Sequence, residues 1–322
     1  MRYFITGISG FAGTHLAARL LEDGHEVGGL VRERRVSPTL SELGNRHPRF
    51  DPNALACGDV TDTAAMARAF ADARPDGVFH LAAIAFVPRA AADPGHAFMV
   101  NALGTRNVLV AIQQTAPACR VVVVGSADMY GAAANTELPL DEGRALEPVS
   151  AYGLSKATAD MAAFQQWWDT GLAVIRARPF NHTGPGQSAD FVCSDFARQL
   201  ARIERGAVPP VLRTGNLQSA RDFSDVRDIV RGYVALMDHG VPGEAYNLCN
   251  GDAVTIAHIV DRLRAEIGIP VEVVEERSRV RTREIPKMAG NPARAQALGW
   301  QPAIPLAQTL RDLLDDWRRR ES

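Results

Sequence analysis

The stretch Thr6-Gly7-Ile8-Ser9-Gly10-Phe11-Ala12-Gly13 constrains this chain more than any other. A strand-like apolar run, Arg2 to Thr6, leads into it, and a helical run, His15 to Leu21, leaves it. In that context the three glycines have separate tasks. Gly7 permits a tight turn, Gly10 lets the main chain approach a pyrophosphate, and Gly13 lets the helix pack on the strand. The start of the helix offers unpaired N–H groups to phosphates. Gly7, Ser9, Gly10, Phe11 and Gly13 are therefore candidate dinucleotide contacts. A glycine-rich turn without a ligand shares the spacing, but it does not require the strand before and the helix after.

The first half of the chain keeps the same rhythm. Strand-like runs at Arg2–Thr6, Glu26–Val31, Gly77–Leu81, Arg120–Val124 and Ala173–Ala177 alternate with helical patterns at Gly13–Leu21, Ala64–Ala73, Gly104–Gln114 and Tyr152–Trp168. Alternating βα units predict an α/β fold of the Rossmann type, a doubly wound parallel sheet. Ligands of such sheets sit outside the carboxyl ends of the strands. Asp59 and Val60 fall near one such end, and Leu81, Ala82 and Ala83 at another. They read as the adenine-side and nicotinamide-side rims of a cofactor cleft, or as plain turn chemistry. After Arg178-Pro179 the rhythm changes to polar loops, short strands and helices at Phe191–Arg205, Ala257–Glu266 and Leu306–Arg319. This predicts a smaller, interleaved α/β substrate-binding domain. The expected division is 1–178 plus about 218–250 for the cofactor, and 179–217 plus about 251–322 for the substrate.

The second strand bears on cofactor choice. An NAD site usually carries a carboxylate at its end, to hold the ribose 2′-hydroxyl. Here Arg32 follows Val31, and then come Glu33, Arg34 and Arg35. Arginine suits a 2′-phosphate, so NADP(H) is the preferred expectation. NAD(H) stays open through Glu33.

Tyr152 and Lys156 stand four residues apart on a helical pattern and so share one face. Of 35 basic residues only Lys156 and Lys287 are lysine, so an ammonium is uncommon in this chain. A cation beside a phenol favours phenolate and lowers its pKa, which makes a general acid/base usable near neutral pH.

Net charge is −2, which gives no global pull toward nucleic acid or an anionic membrane. Cys57, Cys119, Cys193 and Cys249 are scattered without zinc spacing and are expected to be the reduced, buried cysteines of a cytoplasmic protein. No metal signature appears among the histidines, and no apolar run approaches membrane-spanning length. A strand starting at residue 2 leaves no room for a signal peptide in this sequence.

The glycine motif, Ser126 ahead of Tyr130-Gly131, and the Tyr152/Lys156 pair together resemble the extended short-chain dehydrogenase/reductase family, over nearly the whole chain. Within it the sequence resembles the branch acting on GDP-linked 6-deoxyhexoses. That likeness rests on Arg178 to Gln187, Phe191-Val192, Gly215-Asn216-Leu217, Arg221-Asp222-Phe223 and Glu284-Ile285-Pro286. The resemblance implies NADPH-dependent reduction of the C4 ketone of GDP-4-keto-6-deoxy-D-mannose to GDP-D-rhamnose, by a homodimer. It implies that Tyr152 gives a proton to O4, that Ser126 hydrogen-bonds O4, and that Lys156 holds the nicotinamide ribose. Asn181 would meet the diphosphate, Phe191 and Val192 would line the base pocket, and Asn216 is a further substrate-binding candidate. Arg221 and Arg281 would neutralise the diphosphate, and Glu284 would hold the ribose. Arginine forks fit phosphate geometry independently of any resemblance. Arg221 could instead form an exposed salt bridge with Asp222 or Asp225.

Asp128 separates the competing activities. The 4,6-dehydratase relatives carry Thr-x-Glu-x-Tyr-Gly where this chain has Ser126-Ala127-Asp128-Met129-Tyr130-Gly131. A dehydratase needs that carboxylate at C5 and C6, and Asp128 is one methylene shorter. A displacement of about 1 Å can cost a catalytic group on the order of a hundredfold. The segment therefore favours a reductase over a GDP-mannose 4,6-dehydratase. A third alternative is an NAD-dependent 4-epimerase of nucleotide sugars. A nucleotide sensor without turnover would have no use for an intact Ser126, Tyr152 and Lys156.

Overall fold

The computed structural model describes residues 1–34, 36–135, 138–279 and 284–322. Its strands are β1 (Arg2–Thr6), β2 (Glu26–Val31), β3 (Ala56–Cys57), β4 (Gly77–His80), β5 (Arg120–Val124), β6 (Val174–Pro179), β7 (Asn181–Thr183), β8 (Val211–Thr214), β9 (Ala220–Asp225), β10 (Ala245–Leu248), β11 (Ala253–Thr255), β12 (Glu272–Glu275) and β13 (Lys287–Met288). Among the described residues, seven of these strands form one parallel sheet in the order β10-β6-β5-β4-β1-β2-β3. The predicted doubly wound sheet is borne out. The chain winds outward from β1 to β3, then crosses back to β4 and winds the other way. The reversal opens a crevice beyond the carboxyl ends of β1 and β4.

Period-two alternation splits each central strand between two cores. Tyr3, Ile5, Phe79, Val122 and Ile175 face one layer. Phe4, Val78, Val121, Val123 and Val174 face the other. The first layer is covered by helices α1 (Phe11–Glu22), α2 (Pro38–Arg46) and α9 (Val226–His239). The second is covered by α3 (Thr63–Ala73), α6 (Gly104–Thr115) and α7 (Ala151–Thr170). Between α3 and α6 the chain forms the short helices α4 (Val87–Ala92) and α5 (Pro94–Phe98) and a π-helical turn, Met99–Leu103.

The long helix α7 has clear stops. The Ser150 hydroxyl accepts from Gly153 N at 3.0 Å, and Gly171 ends the helix in the left-handed region at φ 71°. Trp167 packs inward, where a side chain on Gly243 would run into its indole, while Trp168 is 72% exposed.

The smaller half gathers α8 (Val192–Glu204), α10 (Ile256–Ala265) and α12 (Leu306–Glu321) around their own apolar cluster. The five-residue helix α11 (Ala293–Ala297) packs instead beside β10. In this half β9 pairs with β7, β11 and β13, and β8 pairs with β12. Within the stretch 218–250, β9 thus belongs to the small sheet and β10 to the large one. The switch happens along α9, which lies on the large sheet. No helix among the described residues is long and apolar enough to cross a membrane.

Candidate active site

The glycine loop follows β1. Gly7 has φ 77°, and a Cβ there would lie 2.8 Å from Ala82 N. A Cβ on Gly13 would lie 2.2 Å from the Gly7 carbonyl oxygen. Protein packing therefore dictates both. Gly10 differs, because a Cβ there would meet only the Gly7 oxygen, at 3.2 Å, and otherwise open space. Ser9 and Gly10 are exposed, and no side chain caps α1. Free N–H groups at a helix start facing open space fit a phosphate.

Arg32 is exposed at the end of β2. The Asp59 carboxylate accepts from Thr61 N at 2.9 Å and from Thr61 Oγ1 at 2.7 Å. Those bonds hold its pKa below the usual carboxylate range, and nearby Arg32 adds to the effect. Its side chain is thus engaged in turn chemistry. Val60 is buried against the position where a Gly104 side chain would stand. Leu81, Ala82 and Ala83 are half-buried, with Ala82 directly behind Gly7.

Tyr152 and Lys156 lie at the inner face of α7, both buried. Ser126 and Asp128 stand opposite, on the turn after β5. Gly153 makes this approach possible, since a Cβ there would lie 2.6 Å from the Asp128 carbonyl oxygen. Burial raises the Tyr152 pKa above its ordinary value. Asp128 raises it further, and a hydrogen bond with the Ser126 side chain opposes both. The expectation that Lys156 depresses this pKa is not met. The Lys156 ammonium donates instead to the Val124 carbonyl. Burial pushes Lys156 itself down to about 8, against the opposing charge of Asp160 one turn on. Tyr152 is therefore held as a neutral phenol, a proton donor.

The remaining candidates lie in the smaller half. Asn216 Nδ2 donates to Glu284 at 2.8 Å, and Arg221 Nη2 to the other Glu284 oxygen at 3.3 Å. Three expected substrate residues are thus brought together. The alternative partners of Arg221 are engaged elsewhere. Asp222 is buried and accepts from Asn250 N, Gly251 N and Gly290 N, while Asp225 pairs with Arg227. Asn181 is exposed on β7, and Val192 is exposed at the start of α8. Phe191 packs edge-on against Phe86, with ring centroids 5.9 Å apart. Arg281 and Arg35 lie outside the described residues.

A sequence model of the GDP-mannose 4,6 dehydratase family matches residues 4–313. The chain belongs to the GDP-mannose 4,6 dehydratase family. The GDP-6-deoxy-D-mannose reductase of Pseudomonas aeruginosa is 34% identical over 99% of this chain and 98% of its own length. The GDP-mannose 4,6-dehydratase of Vibrio cholerae serotype O1 is 27% identical, covering 96% of this chain and 91% of its own. The structure of RMD from P. aeruginosa complexed with NADPH superposes with a TM-score of 0.85 at 33% identity, over 99% of both chains. The UDP-glucose 4-epimerase of Thermotoga maritima, solved with UDP-glucose, gives a TM-score of 0.87 at 25% identity over 100% of both. The expected membership of the extended short-chain dehydrogenase/reductase group is borne out.

In this family member a buried hydrogen-bond chain links the glycine loop to α7, and sequence reasoning missed most of it. Ala82 N donates to Thr6 Oγ1 (3.3 Å), which meets His80 Nδ1 at 2.7 Å. His80 Nε2 meets Thr105 Oγ1 at 2.9 Å, and Thr105 donates to the Asn101 carbonyl at 2.6 Å. Asn101 Nδ2 then donates to Ser155 Oγ at 2.9 Å, and Ser155 to the Tyr152 carbonyl at 2.8 Å. Since Thr105 spends its proton on a carbonyl, His80 donates from Nε2 and accepts at Nδ1. Burial, with the nearby Lys156 charge, pushes its pKa down to about 3 and keeps it neutral. The π-helical turn places the Asn101 side chain against Ile84, where it both donates and accepts.

Proposed function

We propose that this chain reduces the C4 ketone of GDP-4-keto-6-deoxy-D-mannose to GDP-D-rhamnose, with NADPH supplying the hydride. The observation that carries the reading is the neutral, buried Tyr152 beside Ser126. A ketone that accepts hydride becomes an alkoxide and needs a proton donor, which Tyr152 is built to be. Ser126 holds O4 by its hydroxyl. Lys156 keeps a positive charge beneath the site and holds the nicotinamide ribose. The open face at Ser9, Gly10 and Phe11 takes the pyrophosphate, Arg32 the 2′-phosphate, and Leu81 to Ala83 the nicotinamide side. Asp59 and Val60 meet the adenine through the main chain. Asn181, Asn216, Arg221 and Glu284 take the GDP ribose and diphosphate, Phe191 and Val192 the base, and Arg281 joins them. We assign the cofactor to the half built on the large sheet and the nucleotide sugar to the smaller half.

Asp128 supports a second reading, as a 4,6-dehydratase, because its charge lies near enough to Tyr152 to raise the pKa of the phenol. The deciding test is a paired assay. NADPH loss with GDP-4-keto-6-deoxy-D-mannose, and none of the keto sugar from GDP-mannose with NADP, is the expected outcome. Keto-sugar formation in the second tube overturns it, and NMR of the product settles the C4 configuration.

We also propose a cytoplasmic homodimer. Leu154, Met161 and Trp168 recur every seven residues along α7 and stay exposed, with Phe164, Met99 and Leu103 beside them. An apolar seam at that spacing suits a helix from a second copy. Light scattering tests the mass.

A further inference from the structure

Arg178 sits between the two elements that carry the catalytic side chains. Its Nε and Nη2 reach Asp160 at 3.1 and 2.8 Å, a two-pronged grip on a carboxylate that also takes Arg176 Nη1 at 2.7 Å. Asp160 stands on α7 at the next step of the series Tyr152, Lys156, Asp160, all buried on one face. The remaining prong, Nη1, donates at 3.1 Å to the hydroxyl of Tyr130 and to the Glu142 carbonyl. Tyr130 closes the turn after β5, its N–H bonding back to Ala127 O at 3.0 Å. Its own hydroxyl proton goes to Asn247 Oδ1 at 2.7 Å. Tyr130 is fully buried. One cation therefore holds the helix bearing Tyr152 with one hand and the turn bearing Ser126 and Asp128 with the other.

We infer that Tyr130 is a positioning residue: its hydroxyl, gripped by Arg178 and Asn247, fixes the Ser126–Asp128 turn against Tyr152. The ring alone satisfies the apolar cluster around Phe180 and Leu140. The ring also lies under the Arg178 guanidinium, 5.4 Å from the ring centroid, and the hydroxyl adds the directional bonds. A buried, fully paired polar network of this kind specifies a single arrangement of the elements it joins.

The test is Tyr130→Phe, which keeps the ring and its contact with Arg178 and removes only the hydroxyl's hydrogen bonds. It rests on the functional reading above only for its assay. Turnover with the keto sugar and NADPH is expected to fall roughly tenfold, short of the hundredfold that a 1 Å misplacement can cost. The KM for the nucleotide sugar and the NADPH and GDP affinities stay unchanged. Arg178→Lys, which keeps the charge at Asp160 but cannot span both partners, is the second variant. The double variant is expected to lose no more than the more damaging single one, as for groups acting as a unit. Wild-type turnover in Tyr130→Phe overturns the inference. So does a parallel loss of turnover and both affinities, which marks a merely structural role, and so do additive losses in the double variant. If the wild type converts GDP-mannose with NADP instead, the functional reading fails, and the same comparison is made on that reaction.

Discussion

The two walls proposed for the cleft are built by opposite means. The glycine-loop wall is main chain: Gly7 and Gly13 are set by packing against Ala82 and Gly7, and Gly10 leaves a gap before uncapped N–H groups. The opposite wall is side chain, with Asn216 and Arg221 meeting Glu284 across 68 and 63 residues. A main-chain grip is written in consecutive residues, whereas a side-chain grip is assembled only when distant segments meet. The first should tolerate changes of side chain but no added Cβ. The second should fail residue by residue. A third element is the Ser126–Tyr152 contact, to which the proposal gives the proton transfer.

That central contact gives the largest expected effect. Tyr152→Phe removes the donor and should lower turnover by about 10²–10⁴-fold, the usual worth of a general acid. NADPH binding, measured by fluorescence, should survive. Near-normal turnover would sink the role of Tyr152. The side-chain wall comes next. Arg221→Ala should weaken GDP by about 1.5–3 kcal/mol, the range for hydrogen bonds to charged groups, with NADPH affinity intact. Calorimetric titration separates the two ligands, and equal losses would erase the contrast between walls. The pH profile follows. Lys156 titrates near 8, below its ordinary value because of burial, so its charge is lost as pH rises through about 8. Tyr152, shifted upward, stays protonated across that window. Turnover should therefore fall above about pH 8, and a rate that rises there would contradict the roles given to both groups.

The main-chain wall yields a finer test. Gly10→Ala should weaken NADPH roughly tenfold, about 1.4 kcal/mol, while leaving the thermal midpoint in place, because its Cβ meets only the Gly7 oxygen. Gly13→Ala should lower the midpoint as well, because its Cβ collides with the Gly7 carbonyl. Identical behaviour of the two variants would mean that Gly10 is also a packing glycine.

The same division explains what could be read in advance. The glycine loop, the alternating strands and the Tyr152/Lys156 face depend on near neighbours and a fixed period, so the chain displays them. Asn101, Thr105 and Ser155 carry no such mark; their meaning lies in a hydrogen-bond chain that starts at Thr6. The direction of Lys156 was also hidden. Spacing places it on the face of Tyr152, but the nearby Val124 carbonyl decides where the ammonium goes. Glu284 was named for a sugar ribose by resemblance, while its grip on Arg221 needed the fold. Resemblance supplied roles in the smaller half that spacing could not.

The smallest effect belongs to Arg32, the one side chain assigned a phosphate on the main-chain wall. It is exposed, so an ion pair there is screened by water and salt. The 2′-phosphate exists on NADPH and not on NADH, so Arg32→Ala should cost NADPH a few-fold in affinity, about 1 kcal/mol, and NADH nothing. The NADPH loss should shrink as ionic strength rises. Equal losses for both cofactors would remove Arg32 from the 2′-phosphate, and the glycine-loop wall would then be left with its main-chain contacts.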